Sequence, residues 1–260
     1  MGLKKQIRNH LRNVGFLRDV PAIKAEQAAH FYDLFDGIVA YGPLKGFRLQ
    51  KSQWWTRFDI GPKLFGLYEK EVAELLVSLS ATRSVFVDVG AADGYFGVAA
   101  VSQGYYEKSY CFEIAEAGRH SIAETAQLNG VFRHVTILGE ASLAALRSIP
   151  QDELVNAAIL IDIEGAEFDF LSDDVLALLG SCHLIIELHD WMLPDGEAKR
   201  AALFSRIAPH FDHKVFRVGL RDLSGFAELD KLPDSERWLL CDEGRGQSME
   251  WVSLTPRSVR

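Results

Sequence analysis

Cysteine is scarce: three in 260 residues, Cys111, Cys182 and Cys241, odd in number and far apart. That excludes a disulfide framework, and no spacing suggests a zinc site. Cys111 and Cys182 lie inside apolar runs and are expected as small core residues in a reducing compartment. No uninterrupted apolar run reaches the ~18 residues that a membrane-spanning helix needs. The first residues, MGLKKQIRNH, hold no apolar stretch of signal-peptide kind, and Gln6 stands where N-myristoylation wants serine or threonine. Positive charge is short as well. Lys and Arg number 28 against 36 Asp and Glu, a net charge of -8, which argues against a general nucleic-acid binder. The local basic cluster Lys4, Lys5, Arg8, Arg12 and Arg18 reads as a solvated helix face. Internal repeats and low-complexity segments are missing too. These absences lead to the expectation of a soluble, cytoplasmic protein with no membrane span and no nucleic-acid partner, and they leave a homo-oligomer open.

What is present is a chain 48% hydrophobic, enough for a substantial core. Residues 1–40 read as helical, with Pro21 opening a segment that stops near Gly37. Residues 41–63 are rich in Gly, Pro and aromatics and read as short strands or loops. Residues 1–63 thus form an N-terminal helical and aromatic-rich extension, a candidate substrate cover, ahead of a domain over 64–260. Leu64, Leu67, Tyr68, Val72, Leu75, Leu76 and Leu79 recur at helical spacing and predict one helix up to about Ser80.

Apolar runs suited to buried strands then alternate with helical segments: SVFVDVG, KSYCFEI, VTILG, AAILIDIE and CHLIIELH, with Ser172 a helix N-cap between the last two. Such alternation predicts an α/β protein with a doubly wound, mostly parallel sheet. KVFRVGL, RWLLCDE and EWVSLTP are further strand candidates, the last expected at an edge and Trp238 in the core. In open α/β sheets, ligands bind beyond the carboxyl ends of the strands. Asp88 to Gly94, Glu113, Glu140, Asp162 to Gly165, and Glu187 to Asp190 all fall at such ends.

The first of these turns, DVGAADGYFG, fails the dinucleotide spacing G-x-G-x-x-G, because the third glycine would fall at Tyr95. It resembles instead the acid-x-Gly-x-Gly-x-Gly turn of S-adenosylmethionine (SAM) methyltransferases, with Ala92 in place of the middle glycine. Gly90 and Gly94 would let the backbone approach the ligand. Asp88 could accept from the ligand's ammonium group, and Asp93 belongs to the same turn. Glu113, 19 positions after Gly94, stands where a carboxylate can accept both ribose hydroxyls. Glu140 stands where an adenine amino group is often contacted, although a helix-cap acid would sit there equally. Asn129 is either a site residue or a plain stop signal with Gly130.

ILIDIEGAEFDFL followed by LIIELHDW, together with VDVGAADGYFG and YCFEI, resembles the FkbM family of SAM-dependent methyltransferases over about residues 65–190. Asp162, Glu164, Gly165 and Glu167, then Glu187 and His189, match the family's acids and histidine. The basic residue usual before the first acid is absent, with Leu160 and Ile161 there instead. The resemblance implies a Rossmann-like class I methyltransferase with a seven-stranded sheet. It further implies methyl transfer from SAM to a hydroxyl on a sugar, polyketide or similar small molecule.

A hydroxyl nucleophile needs a base within reach, and His189 is the candidate, positioned by Asp162 and Glu187. The same residues, with Glu164 and Asp190, could instead hold Mg or Mn, with Asp162, Glu187 and His189 as ligands. Trp54, Trp55, Glu164 and Trp191 are candidates for the acceptor pocket, and Tyr68 and Glu69 could also reach SAM. Two rival functions remain from the sequence alone. One is a non-catalytic SAM-fold scaffold; the other is an NAD(P)-dependent oxidoreductase, for which a Tyr-x-x-x-Lys pair is missing.

Overall fold

A period of two in the apolar side chains sets the faces of the first strand. Val85, Val87 and Val89 join one core cluster and Phe86 the other, with Asp88 on the Phe86 side. The computed structural model describes residues 19–52, 54–55 and 57–257. The basic cluster Lys4 to Arg18, and the first part of the helix expected over 1–40, lie outside them.

The described chain enters through α1 (Val20–Leu34), α2 (Ile60–Leu64) and α3 (Lys70–Leu79). Strands and helices then alternate as β1 (Val85–Val89), α4 (Tyr95–Ser102), β2 (Lys108–Phe112), α5 (Glu116–Leu128) and β3 (Val135–Leu138). After α6 (Leu143–Leu146) and α7 (Gln151–Leu154) come β4 (Ala157–Ile161), α8 (Glu167–Phe170), α9 (Asp173–Leu178), β5 (His183–Leu188) and α10 (Gly196–Ile207). β6 (Phe211–Arg217), α11 (Asp234–Cys241) and β7 (Glu250–Pro256) follow.

These strands form one seven-stranded sheet in the order β3-β2-β1-β4-β5-β7-β6. β1 to β5 pair in parallel, and β7 runs antiparallel to both β5 and β6. The architecture is therefore the expected doubly wound, mostly parallel, Rossmann-like sheet. Strand order reverses between β1 and β4, which puts the natural crevice at their carboxyl ends. One core cluster packs α1 to α5 on one face, and the other packs α6 to α10 on the opposite face. Ser172 caps α9 through Val175 N, as its position predicts. Among the described residues, no helix is long and apolar enough to cross a membrane.

Three expectations are corrected. RWLLCDE belongs largely to helix α11, where Leu240 and Cys241 are buried and Trp238 is 47% exposed rather than in the core. Acids Asp234 and Glu236 in the first turn favour that helix. EWVSLTP is no edge strand: Trp251, Val252 and Leu254 are fully buried between β5 and β6, and β6 is the edge. A short apolar run does not say which slot of a sheet it fills.

The helix expected over 64–80 is broken across residues 65–69. Gly66 has φ +61, and a Cβ there would lie 2.2 Å from the Tyr41 carbonyl oxygen, an approach only glycine permits. The break places Tyr68 and Glu69 beside the crevice. Asn129 turns out to be a clamp: it accepts the Arg48 N–H and donates to the Arg48 carbonyl, fastening the 38–50 segment to α5.

Candidate active site

β1 ends in a turn that other backbone presses upon. A Cβ on Gly90, whose φ is +95, would stand 1.7 Å from the Asp162 carbonyl oxygen after β4. Ala92 is left-handed at φ +47, a conformation that strains any residue bearing a Cβ by about 1–2 kcal/mol. Its N–H donates to Glu113 Oε2 at 2.9 Å, while Glu113 Oε1 takes the Ala115 N–H at 2.8 Å. Glu113 therefore bolts the β1 turn to the end of β2, and each oxygen keeps a lone pair for a ligand. Ala92→Gly should relieve strain but enlarge the unfolded ensemble. The expected net change in denaturant unfolding is within about 1 kcal/mol, and a larger loss would contradict the strain account.

Asp88, on the α4 side of β1, accepts the Gly97 N–H, and burial pushes its carboxyl up to about 8. Asp93 is occupied by a buried pair with Lys63, Nζ to Oδ2 3.1 Å. The same ammonium lies 5.1 Å and 5.0 Å from the Tyr68 and Tyr95 ring centres, within cation–π range.

Beyond this turn lies a cavity of about 500 Å³ at the carboxyl ends of β1, β2 and β4. Its walls include the glycine turn, Glu113 with Ile114, and Glu140 with Ala141. A second cavity of about 420 Å³ adjoins it, walled by Lys24, Asp59, Glu187, His189, Trp191 and the Asp242–Gly246 loop. The two share Trp55, Tyr68, Glu69, Asp162 and Glu164. Strain gathers here too. Of four non-glycine residues at positive φ among the described residues, three, Glu69, Ala92 and Glu164, line the first cavity.

The shared wall carries a cluster of acids around one histidine. His189 Nε2 lies 3.5 Å from Glu164 Oε2, 3.7 Å from Asp162 Oδ1 and 3.8 Å from Glu187 Oε2. Burial works to lower the His189 pKa, but Glu167, Asp162 and Glu164 outweigh it and hold it above the ordinary value. Burial, with the neighbouring charges of Asp162 and Glu69, drives the Glu187 carboxyl upward against the pull of Arg245. Arg245 bonds Glu187 at 2.6 Å, Glu243 at 3.0 Å and also Glu69. Asp162 Oδ1 is buried without a hydrogen-bond partner. Glu167 is fully buried and structural: it accepts from Gly165 N at 2.8 Å and from His189 N at 2.7 Å.

Asp88, Gly90, Ala92, Asp93, Glu113 and Glu140 line the first cavity, whereas Gly94 does not. Gly94 serves the backbone instead, as the left-handed residue before α4. His189, Glu187 and Trp191 line the second cavity; Asp162, Glu164 and Trp55 line both. Trp54 lines neither and packs beside Trp55 at 5.7 Å. Adjacent residues cannot all face one pocket. Lys63 and Arg245 escaped the sequence reading. Arg245 sits in EGRG, whose local pattern does not name the distant Glu69 and Glu187 that it bonds.

No protein-family model matches the chain, and no curated protein matches it. Solved structures do. An O-methyltransferase from Bacillus cereus in complex with SAH is 11% identical, covering 96% of this chain and 97% of that one at a TM-score of 0.48. Sp1610 of Streptococcus pneumoniae, a candidate tRNA (m1A22) methyltransferase, is 16% identical over 73% of this chain and 71% of its own, with a TM-score of 0.48. TYW2 of M. jannaschii in complex with AdoMet is 14% identical over 75% and 77%, with a TM-score of 0.45. At identities and scores this low, the fold rests on strand order and register, and the chemistry on the residues of the two cavities.

Proposed function

We propose that the protein is a SAM-dependent methyltransferase acting on a hydroxyl of a small molecule such as a sugar or polyketide. The observation that carries this is the pair of adjoining cavities, one walled by a strained glycine turn and Glu113, the other by acids and His189. The first has the volume of a small-molecule site and the polar groups an adenosyl ligand needs. Glu113 offers free lone pairs to a ribose diol, Glu140 stands near for an adenine amino group, and the bare Gly90 turn admits the amino-acid end. Bound SAM supplies a methyl group already activated by its sulfonium, so the protein's work is alignment and proton removal. The residues of the shared wall hold the acceptor hydroxyl and take up its proton.

The resemblance to FkbM methyltransferases supports a hydroxyl acceptor. Carboxyls of Asp59, Glu164, Asp242 and Glu243 on the second cavity disfavour a phosphate backbone, which supports a small molecule over nucleic acid. Calorimetric titration with S-adenosylhomocysteine should give micromolar binding, and NAD none. Glu113→Gln removes charge-assisted hydrogen bonds worth about 1.5–3 kcal/mol and should weaken binding about 10- to 100-fold. Binding of NAD instead would favour an oxidoreductase, and binding of neither by folded protein would favour a scaffold.

A further inference from the structure

His189 is 3% exposed, yet none of the groups around its imidazole stands at normal hydrogen-bond length. Its Nδ1 is buried without a partner, 3.5 Å from Glu167 Oε1. Nε2 faces Glu164, Asp162 and Glu187 at 3.5–3.8 Å, beyond the usual N–H···O range of about 2.7–3.2 Å. Such spacing has another meaning. Donor atoms about 2.0–2.2 Å from one ion lie roughly 3.0–3.5 Å from one another, depending on coordination geometry. The donor atoms of Asp162, Glu164 and His189 all fall within 4.8 Å of each other. Small side-chain movements would therefore close them on a common centre, and the orphaned Asp162 Oδ1 would gain a partner.

A second triple, Glu69, Asp162 and Glu187, also has the required proximity. There the Arg245 guanidinium already bonds both Glu69 and Glu187. A cation entering that triple would displace or repel it. Among the described residues no guanidinium or ammonium bonds Glu164, whose side chain is 50% exposed at the junction of the cavities.

We propose that Asp162, Glu164 and His189 bind one divalent transition-metal ion of the Mn²⁺ kind at the junction of the two cavities. Two carboxylate oxygens suit a hard ion and the imidazole shifts preference away from Mg²⁺, so a first-row ion such as Mn²⁺ fits the set. Glu187, expected from the sequence as a ligand, is replaced in this role by Glu164. The ion compensates acids that otherwise crowd one another, and its open positions face the second cavity, where an acceptor hydroxyl can coordinate and become more acidic. His189 is then a ligand and not the free base expected from the sequence.

The test is titration of metal-free, full-length protein with MnCl₂, free Mn²⁺ being read by electron paramagnetic resonance. No cofactor is added, so the metal result and the S-adenosylhomocysteine result stand or fall separately. One Mn²⁺ per chain is expected, with MgCl₂ competing only at much higher concentration. Glu164→Gln and His189→Gln should each weaken binding at least tenfold, and Asp212→Asn, on the remote β6 edge, should not change it. Circular dichroism checks the fold of each variant, and if one unfolds the other carries the comparison. No single saturable Mn²⁺ site in the wild type, or undiminished binding in a folded Glu164 or His189 variant, overturns the proposal.

Discussion

Gly90→Ala is expected to destabilise the protein by more than about 4 kcal/mol, and to abolish binding of S-adenosylhomocysteine in whatever fraction still folds. Two effects add. At φ +95 a side chain strains the backbone, by about 1–3 kcal/mol in such sparsely populated regions. The new methyl would also stand 1.7 Å from the Asp162 carbonyl oxygen, a backbone atom with no flexible end to swing away. The turns after β1 and β4 would have to part; the first lines the cavity beside Glu113, and the second lines both cavities. Urea unfolding followed by circular dichroism measures this directly. A loss under about 1 kcal/mol would show that the two turns are not locked together as described.

Glu167→Ala should be the second most damaging change, costing about 3–5 kcal/mol. Glu167 has no solvent exposure, and its two oxygens satisfy the N–H groups of Gly165 and His189. Removing it leaves two buried donors unpaired and unfastens the turn after β4 from the end of β5. For a chain of this size, that corresponds to a melting temperature lower by roughly 6–15 °C, read by calorimetry. Mn²⁺ affinity should fall as well, because both proposed ligand strands shift. A melting temperature within about 2 °C of wild type would contradict the structural role.

Glu167 also marks the limit of what the sequence discloses. The acid-rich motif after β4 was legible as a strand exit, but Glu167 within it carried no role of its own. Which acid does chemistry and which holds backbone depends on where each carboxylate points, and spacing alone does not carry that. Gly90 was legible for the opposite reason: a glycine at the end of a buried apolar strand has few explanations. The first five strands and their parallel, doubly wound arrangement followed from the alternation of apolar runs and helical segments. β7 and α11 were misread because EWVSLTP and RWLLCDE are short runs, whose partners lie far away in sequence. Arg245 and Lys63 were missed since long-range charge pairing leaves almost no local trace.

The most direct test of the central claim is a crystal structure with S-adenosylhomocysteine bound. The ribose hydroxyls should meet Glu113, the adenine should lie toward Glu140, and the sulfur should sit at the shared wall formed by Tyr68, Glu69 and Asp162. A ligand seated in the second cavity, or a sulfur turned away from that wall, would contradict methyl transfer between the two cavities.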